Sequence, residues 1–378
     1  MRSQVKLGRI AGIAIGLHYS WFLIAFLIIF SLADHFHSQV PLWSDITVWA
    51  AAVITGILFF VTLLLHELAH SVVAQSWGLK VKAITLFALG GVSQIESEAP
   101  NAKSEFWIAI AGPLTSLLLG GIFLAIAWFA GWRPGTEPPA PTMAVLLWLG
   151  YINVGLAVFN MIPGYPLDGG RVLRSIIWWI SHSMEKATKW ASYVGQAVAF
   201  LFILRGIWQF FHGAGFQALW IAFIGWFLLD ASRSSFAQVE LVSALRGRRV
   251  ADVMDRECVS VESHLSLQDF VEEYLLRTGK RCFVVVQGGY LVGLVTPADV
   301  RAIPRERWPQ TSVQSVMRPL RDLRTVSPET PAMDALEIMG REDLNQLPVV
   351  SGGKLEGMFS RSHILNFLRA HSELQGRT

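Results

Sequence analysis

The chain has 378 residues, of which 53% are hydrophobic and 16% charged, and its mean hydropathy of +0.44 lies above that of a soluble globular domain. Residues 1–236 hold 13 Lys/Arg and 10 Asp/Glu, while residues 237–378 hold 18 of each, so a membrane part precedes a soluble part and the net charge of +3 belongs to the first. That balance argues against a nucleic-acid-binding arm, and two cysteines, Cys258 and Cys282, argue against a disulfide framework or a Cys-rich metal site.

Arg2, Lys6 and Arg9 precede an apolar stretch too long for a signal-peptide core, and no small-residue cleavage pattern follows it cleanly, so the first span is expected to be retained. About 20 apolar residues cross a hydrocarbon core. On that measure six spans are predicted, near 10–33, 46–77, 105–132, 143–163, 190–212 and 216–233, and 14 of the 15 tryptophans fall in this half, as interfacial anchors do. With the N-terminus inside, Lys80, Lys82 and Lys103, then Arg171, Arg174, Lys186 and Lys189, then Arg233, Arg246, Arg248 and Arg249 share the cytoplasmic side. Asp34, Asp45, Arg133 and Glu137 fall on the other. Positive-inside bias therefore places both termini in the cytoplasm, in a multi-pass protein of the cell membrane. Arg205, inside the fifth span, reads as snorkelling to the outer interface.

Residues 79–95, LKVKAITLFALGGVSQI, are rich in β-branched residues and broken by Gly90–Gly91. They predict a strand or hairpin at membrane depth, which persists only where protein or a water-filled cavity satisfies its backbone. Such an edge can receive an extended peptide.

Within the second span stands His66-Glu67-Leu68-Ala69-His70. Histidines at i and i+4 share a helical face and hold Zn²⁺ about 2 Å away, while the intervening glutamate, itself no ligand, takes a proton from water. Composition alone yields roughly 0.01 such patterns in a chain of this kind. Three polar side chains in an apolar helix also mark a polar interior site. A catalytic zinc takes a third protein ligand, and Asp168 is the candidate: it follows the fourth span in Asn160-Met161-Ile162-Pro163-Gly164-Tyr165-Pro166-Leu167-Asp168-Gly169-Gly170 and precedes a pair of glycines read as flexible. Asp230, beside Arg233 at a membrane exit, reads instead as an interfacial ion pair. His35, His37 and His212 fall on predicted outer loops and His182 among cytoplasmic charges. His18 enters the first span as a satisfied polar residue.

His66–His70, Gly90–Gly91, Ala111-Gly112-Pro113, Asn160-x-x-Pro163 and Leu167-Asp168-Gly169 together resemble the site-2 protease family of intramembrane zinc metalloproteases, over roughly residues 1–235. The resemblance implies one Zn²⁺ per chain on His66, His70 and Asp168, and Glu67 as general base. It further implies that Asn160 positions substrate or stabilises the oxyanion, and that an embedded sheet including Gly90 and Gly91 pairs with the unwound substrate.

The tail repeats itself: Val253-Met254 aligns with Val316-Met317 at an offset of 63. Each copy is expected to run strand, amphipathic helix, two strands about a Gly-Gly turn, and a final helix. This resembles a tandem pair of CBS domains over about 249–371. Such pairs often bind an adenine nucleotide such as ATP or AMP, or form homodimers; the resemblance implies Thr296 and Asp299 as nucleotide contacts in copy one. Copy two keeps Ser360 but has His363 where the pattern has Asp.

The expected architecture is thus a polytopic α-helical membrane protein with a small embedded β element, followed by a soluble α/β CBS pair. Its domains are 1–236, a linker 237–248, CBS domains at 249–311 and 312–371, and a tail 372–378. The expected activity is hydrolysis of membrane-anchored protein substrates, with membrane lipid as the other partner and no nucleic acid. The competing readings are a CBS-regulated ion transporter or channel, disfavoured by a general base beside paired ligands, and a metal-retaining protein that binds membrane partners without cutting them.

Overall fold

The computed structural model describes residues 5–88, 90–95, 98–135, 140–256, 259–279, 283–352 and 354–375; Arg2, Glu137, Cys258 and Cys282 lie outside them. The chain divides into two compact units, Met1–Ala237 and Gln238–Thr378.

The first unit opens with strands, not with a membrane helix. Ala11 and Gly12 both take positive φ, 51° and 78°, the geometry of a two-residue turn whose twist matches paired strands. Strand β1 (Val5–Ile10) therefore folds back on β2 (Ile13–Leu17), with Ile10 opposite Ile13. This corrects the expected first span at 10–33: helix α1 (Tyr19–Gln39) begins only after His18, whose Nδ1 accepts from the Ser20 amide at 3.3 Å. Asp34, His35 and His37, expected in a loop, lie on α1.

The 79–95 segment is the anticipated hairpin, β3 (Val81–Phe87) and β4 (Gly90–Ile95). Strand β2 runs parallel to β3, giving the order β1-β2-β3-β4 with β4 at an edge. Ile13, Leu17, Val81, Ile84 and Leu86 form a core with Ala74 and Ile108, so the sheet lies against α2 (Asp45–Ser76) and α3 (Ala102–Phe129). Both helices start at matched caps, Ser44 accepting from the Thr47 amide and Asn101 from the Ser104 amide.

With α4 (Pro141–Asn160) and α6 (Met184–Gln209), helices α1, α2 and α3 make five among the described residues that are long and apolar enough to cross a membrane. The sixth predicted segment, 216–233, is helical within α7 (Gln217–Leu245) but carries Asp230 and Arg233 and is not one of the five. Those two residues are exposed, and no ion pair joins them, contrary to expectation. Arg205 is exposed on α6. Phe22, Phe26, Phe30, Leu118 and Trp190 point outward, as side chains facing lipid do. Helices α3 and α4 approach where both carry glycine: a Cβ on Gly120 would stand 2.9 Å from the Gly150 carbonyl oxygen.

Helix α5 (Asp168–Ser181), at 14 residues, is too short to span. It buries Val172 and Arg174 and exposes Ile176, Trp179 and Ile180, the pattern of a helix lying at an interface. Gly169 and Gly170 are its first turn, not a flexible pair. A Cβ on either would strike the backbone of the 161–165 turn, so glycine serves close approach here.

The second unit holds the repeat. Copy one supplies β5 (Ser260–Glu262), β6 (Phe283–Gln287) and β7 (Tyr290–Val295) of a sheet that β8 (Arg318–Pro319) of copy two completes. The β6–β7 turn uses Gly288 and Gly289, both at positive φ. Copy two pairs β9 (Gln346–Ser351) with β10 (Lys354–Ser360); its expected first strand is reduced to a bridge between Val326 and Val349. The copies exchange edges. Arg318, from the start of copy two, pairs with Leu294 of copy one, while Asp255, from the start of copy one, bridges to Met358 of copy two. Val284, Leu291, Leu294 and Met358 form a core shared between them.

Candidate metal centre

Helix α2 carries both imidazoles on its buried face, His66 and His70 being 2% and 5% exposed. They sit close to its end, His70 lying six residues before Ser76, or about 9 Å along the axis. Asp168 reaches them from the first position of α5. The His66 and His70 Nε2 atoms are 3.2 Å apart, and the Asp168 Oδ2 is 3.3 Å from the first and 3.2 Å from the second. A tetrahedral zinc with bonds of about 2.0 Å has edges of about 3.3 Å between its ligand atoms. Two nitrogens and a carboxylate oxygen at these separations fit that ion; among the described residues this is the group of acids and histidines close enough together to hold one.

Groups behind the triangle set the tautomers of the two histidines. His70 Nδ1 donates to the Ile108 carbonyl at 2.6 Å, and His66 Nδ1 lies 2.9 Å from the Ser116 hydroxyl. Each bond fixes a ring and turns the Nε2 lone pair toward the centre. Both partners come from α3, as does Gly112, where any Cβ would collide with the two Nε2 atoms. Burial works against an ionised Asp168, yet the facing imidazoles of His70 and His66 hold its carboxyl well below the usual carboxylate range.

Glu67 stands apart from the triangle of His66, His70 and Asp168, with its Oε2 accepting from the Ser93 hydroxyl of β4 at 3.2 Å. Gly91, on the same face of β4, packs against the Glu67 side chain so closely that a Cβ would overlap it. Gly90, at a φ of 135°, opens the edge strand. Asn160 is the half-buried last residue of α4, and its side chain makes no hydrogen bond to a described residue. The fold thus brings His66, Glu67, His70, Asp168 and Gly91 together.

Sequence reasoning missed the support for α5. Glu105, fully buried on the first turn of α3, accepts from Arg171 at 3.1 Å and from Arg174. Arg174 also lies over the Tyr165 ring, 5.3 Å from its centroid. One carboxylate therefore pins the helix that begins with Asp168. The signal was present in the sequence: Glu105, Ile108, Gly112 and Ser116 recur on one helical face, and a carboxylate opening an apolar span needs a partner. Replacing Ser116 with alanine is expected to weaken zinc binding about 10- to 100-fold without unfolding the protein, read by competition with a chelator; an unchanged affinity would mean Ser116 does not orient His66.

The profile of Peptidase family M50 matches residues 54–139 and 135–202, and that of the CBS domain matches residues 250–306 and 313–370. Rip3 of Mycobacterium tuberculosis, named as a zinc metalloprotease, is 34% identical over 340 residues, which are 90% of this chain and 86% of Rip3. The chain belongs to peptidase family M50. A zinc metalloprotease of Synechocystis is 32% identical over 98% of this chain and 96% of its own length. The solved site-2 protease from Methanocaldococcus jannaschii, at 29% identity and a TM-score of 0.43, is covered over 94% of its length by 61% of this chain. As an M50 member the chain is a zinc metalloprotease and a membrane protein, joined to a CBS pair. Relatives that match nine-tenths or more of the chain are named zinc metalloproteases, and nothing favours the transport reading.

In the second unit, Asp299 Oδ2 accepts from the Thr296 amide at 2.9 Å and its hydroxyl at 2.6 Å, capping the helix Pro297–Arg301, and Oδ1 accepts from Arg318 at 3.3 Å. In copy two, Ser360 lies 2.8 Å from His363 Nδ1, and His363 Nε2 is 3.0 Å from Asp255. The two repeats thus carry different polar groups at equivalent places.

Proposed function

We propose that His66, His70 and Asp168 hold one zinc ion and that Glu67 is the general base in hydrolysing a peptide bond of a membrane-anchored protein, near the cytoplasmic end of α2. The observation that carries this reading is the near-equilateral triangle of two imidazole nitrogens and one carboxylate oxygen. Zinc held there supplies Lewis acidity, which lowers the pKa of water and polarises a carbonyl oxygen.

The protein's own groups do the rest. Glu67 takes a proton from water as the hydroxide oxygen bonds to the scissile carbonyl carbon, and delivers it to the amide nitrogen as the C–N bond breaks. A helical substrate must first unwind, because its carbonyls are hydrogen-bonded within the helix. The edge strand β4 offers the backbone partners an unwound strand needs, with Gly90 and Gly91 allowing close approach. Asn160 serves as substrate-positioning or oxyanion contact. The distribution of Lys and Arg supports both termini facing the cytoplasm of a cell-membrane protein, which takes the 216–233 segment of α7 as a sixth crossing beside the five longer apolar helices.

Zinc content and cleavage of a single-span reporter test the assignment. Wild type is expected to hold about one zinc per chain and cut; Glu67→Gln should hold zinc and be inert, while Asp168→Ala should lose the metal. A Glu67→Gln protein that cuts like wild type would overturn the reading.

The CBS pair is assigned to adenine nucleotide binding at Thr296 and Asp299, and to homodimer formation. Ser360 is the weaker contact, since its hydroxyl is engaged with His363, which pairs with Asp255. Calorimetric titration with ATP and AMP should give binding that Asp299→Ala removes and Ser360→Ala spares.

A further inference from the structure

Glu67 is held from outside its own helix. The Ser71 hydroxyl, one turn farther along α2 and fully buried, donates to Ser93 Oγ at 3.1 Å, and Ser93 Oγ donates to Glu67 Oε2 at 3.2 Å. The chain of donors runs one way. Ser71 fills an acceptor site of Ser93, which leaves the Ser93 proton directed at the carboxylate. Residues 91 and 93 share a face of β4, because successive side chains alternate across a strand. That face is turned to Glu67: Gly91 clears space for the side chain, and Ser93 ties down one of its oxygens.

We propose that Ser93, backed by Ser71, is a positioning residue that fixes the Glu67 carboxylate by Oε2 and leaves Oε1 to take and return the proton. The inference rests on Glu67 being the general base. Its physical basis is restriction of rotamers. A glutamate has three side-chain torsions, and a base that wanders by an ångström loses a large part of its rate. The tether also comes from the sheet's edge strand. The strand that offers its backbone to substrate thus also sets the attitude of the base, so the base and the scissile bond are referred to one element.

The test uses full-length protein in detergent with a single-span reporter that wild type cleaves. Ser93→Ala is expected to lower kcat about tenfold or more while KM and bound zinc stay at wild-type values. Ser93→Thr, which keeps the hydroxyl, should restore most of kcat. Ser71→Ala should cost less, and the Ser71→Ala/Ser93→Ala double variant no more than Ser93→Ala alone, as members of one chain do. A wild-type kcat in Ser93→Ala overturns the proposal and leaves the base assignment intact, provided Glu67→Gln is inert. So does a loss confined to KM, or one that Thr does not repair, since a purely structural role for the strand would give either. An active Glu67→Gln protein overturns both.

Discussion

Gly112→Ala is expected to give a folded protein that no longer retains zinc. The added Cβ would occupy space that the His66 and His70 Nε2 atoms already fill, so the imidazoles must turn away from Asp168 or α3 must move off α2. Either outcome breaks the triangle. Residue 112 precedes Pro113 within α3, where a Cβ is disfavoured in a helix, so the helix content of the variant is the control that assigns the loss to the site. Elemental analysis should show zinc well below one per chain, while circular dichroism shows wild-type helix content. Zinc at wild-type stoichiometry in Gly112→Ala would mean that the ligand atoms do not meet where the structure places them.

Glu105→Ala should be the most destabilising single change near the site. It strands Arg171 and the buried Arg174 without their shared carboxylate, and breaking a buried ion pair by removing one partner costs about 3–5 kcal/mol. It also frees α5. Asp168 is three residues from Arg171 and six from Arg174 on that helix, so its carboxylate, the proposed third ligand, loses its anchor together with the arginines. Both thermal stability and zinc retention should fall, and both should recover in part when Arg174→Met is added, because that variant removes one of the stranded charges. Wild-type stability in Glu105→Ala would show that the pair contributes nothing to holding α5.

Much of the candidate metal site was legible because its pattern is written locally. His66 and His70 are one turn apart on one helix, and no tertiary information is needed to see that they share a face. Asp168, which the structure brings beside both histidines, stood out by its residue type in a distinctive run, but its setting was misread. Two adjacent glycines resemble a loop in sequence, whereas the structure uses them where the 161–165 backbone crosses the first turn of α5. The N-terminal hairpin was hidden for a different reason: residues 10–17 are apolar and merge with α1, and an apolar run alone does not distinguish strand from helix. The Ala11–Gly12 turn was the missed signal. The roles of Ser93, Ser116 and Glu105 lie in contacts between elements distant in sequence, which no single-helix pattern encodes. In the tail, the 63-residue offset disclosed both copies, yet not the edge exchange that pairs Arg318 with copy one and Asp255 with copy two.

The most direct test of the account is zinc K-edge X-ray absorption on the purified full-length Glu67→Gln protein, in which turnover is stopped and the ligands are untouched. The account predicts a shell of nitrogen and oxygen near 2.0–2.1 Å, with the outer-shell scattering of two imidazoles, a signal that is lost together with the metal in His70→Ala. A sulfur shell at about 2.3 Å, or imidazole scattering that survives loss of both His66 and His70, would place the metal elsewhere and contradict it.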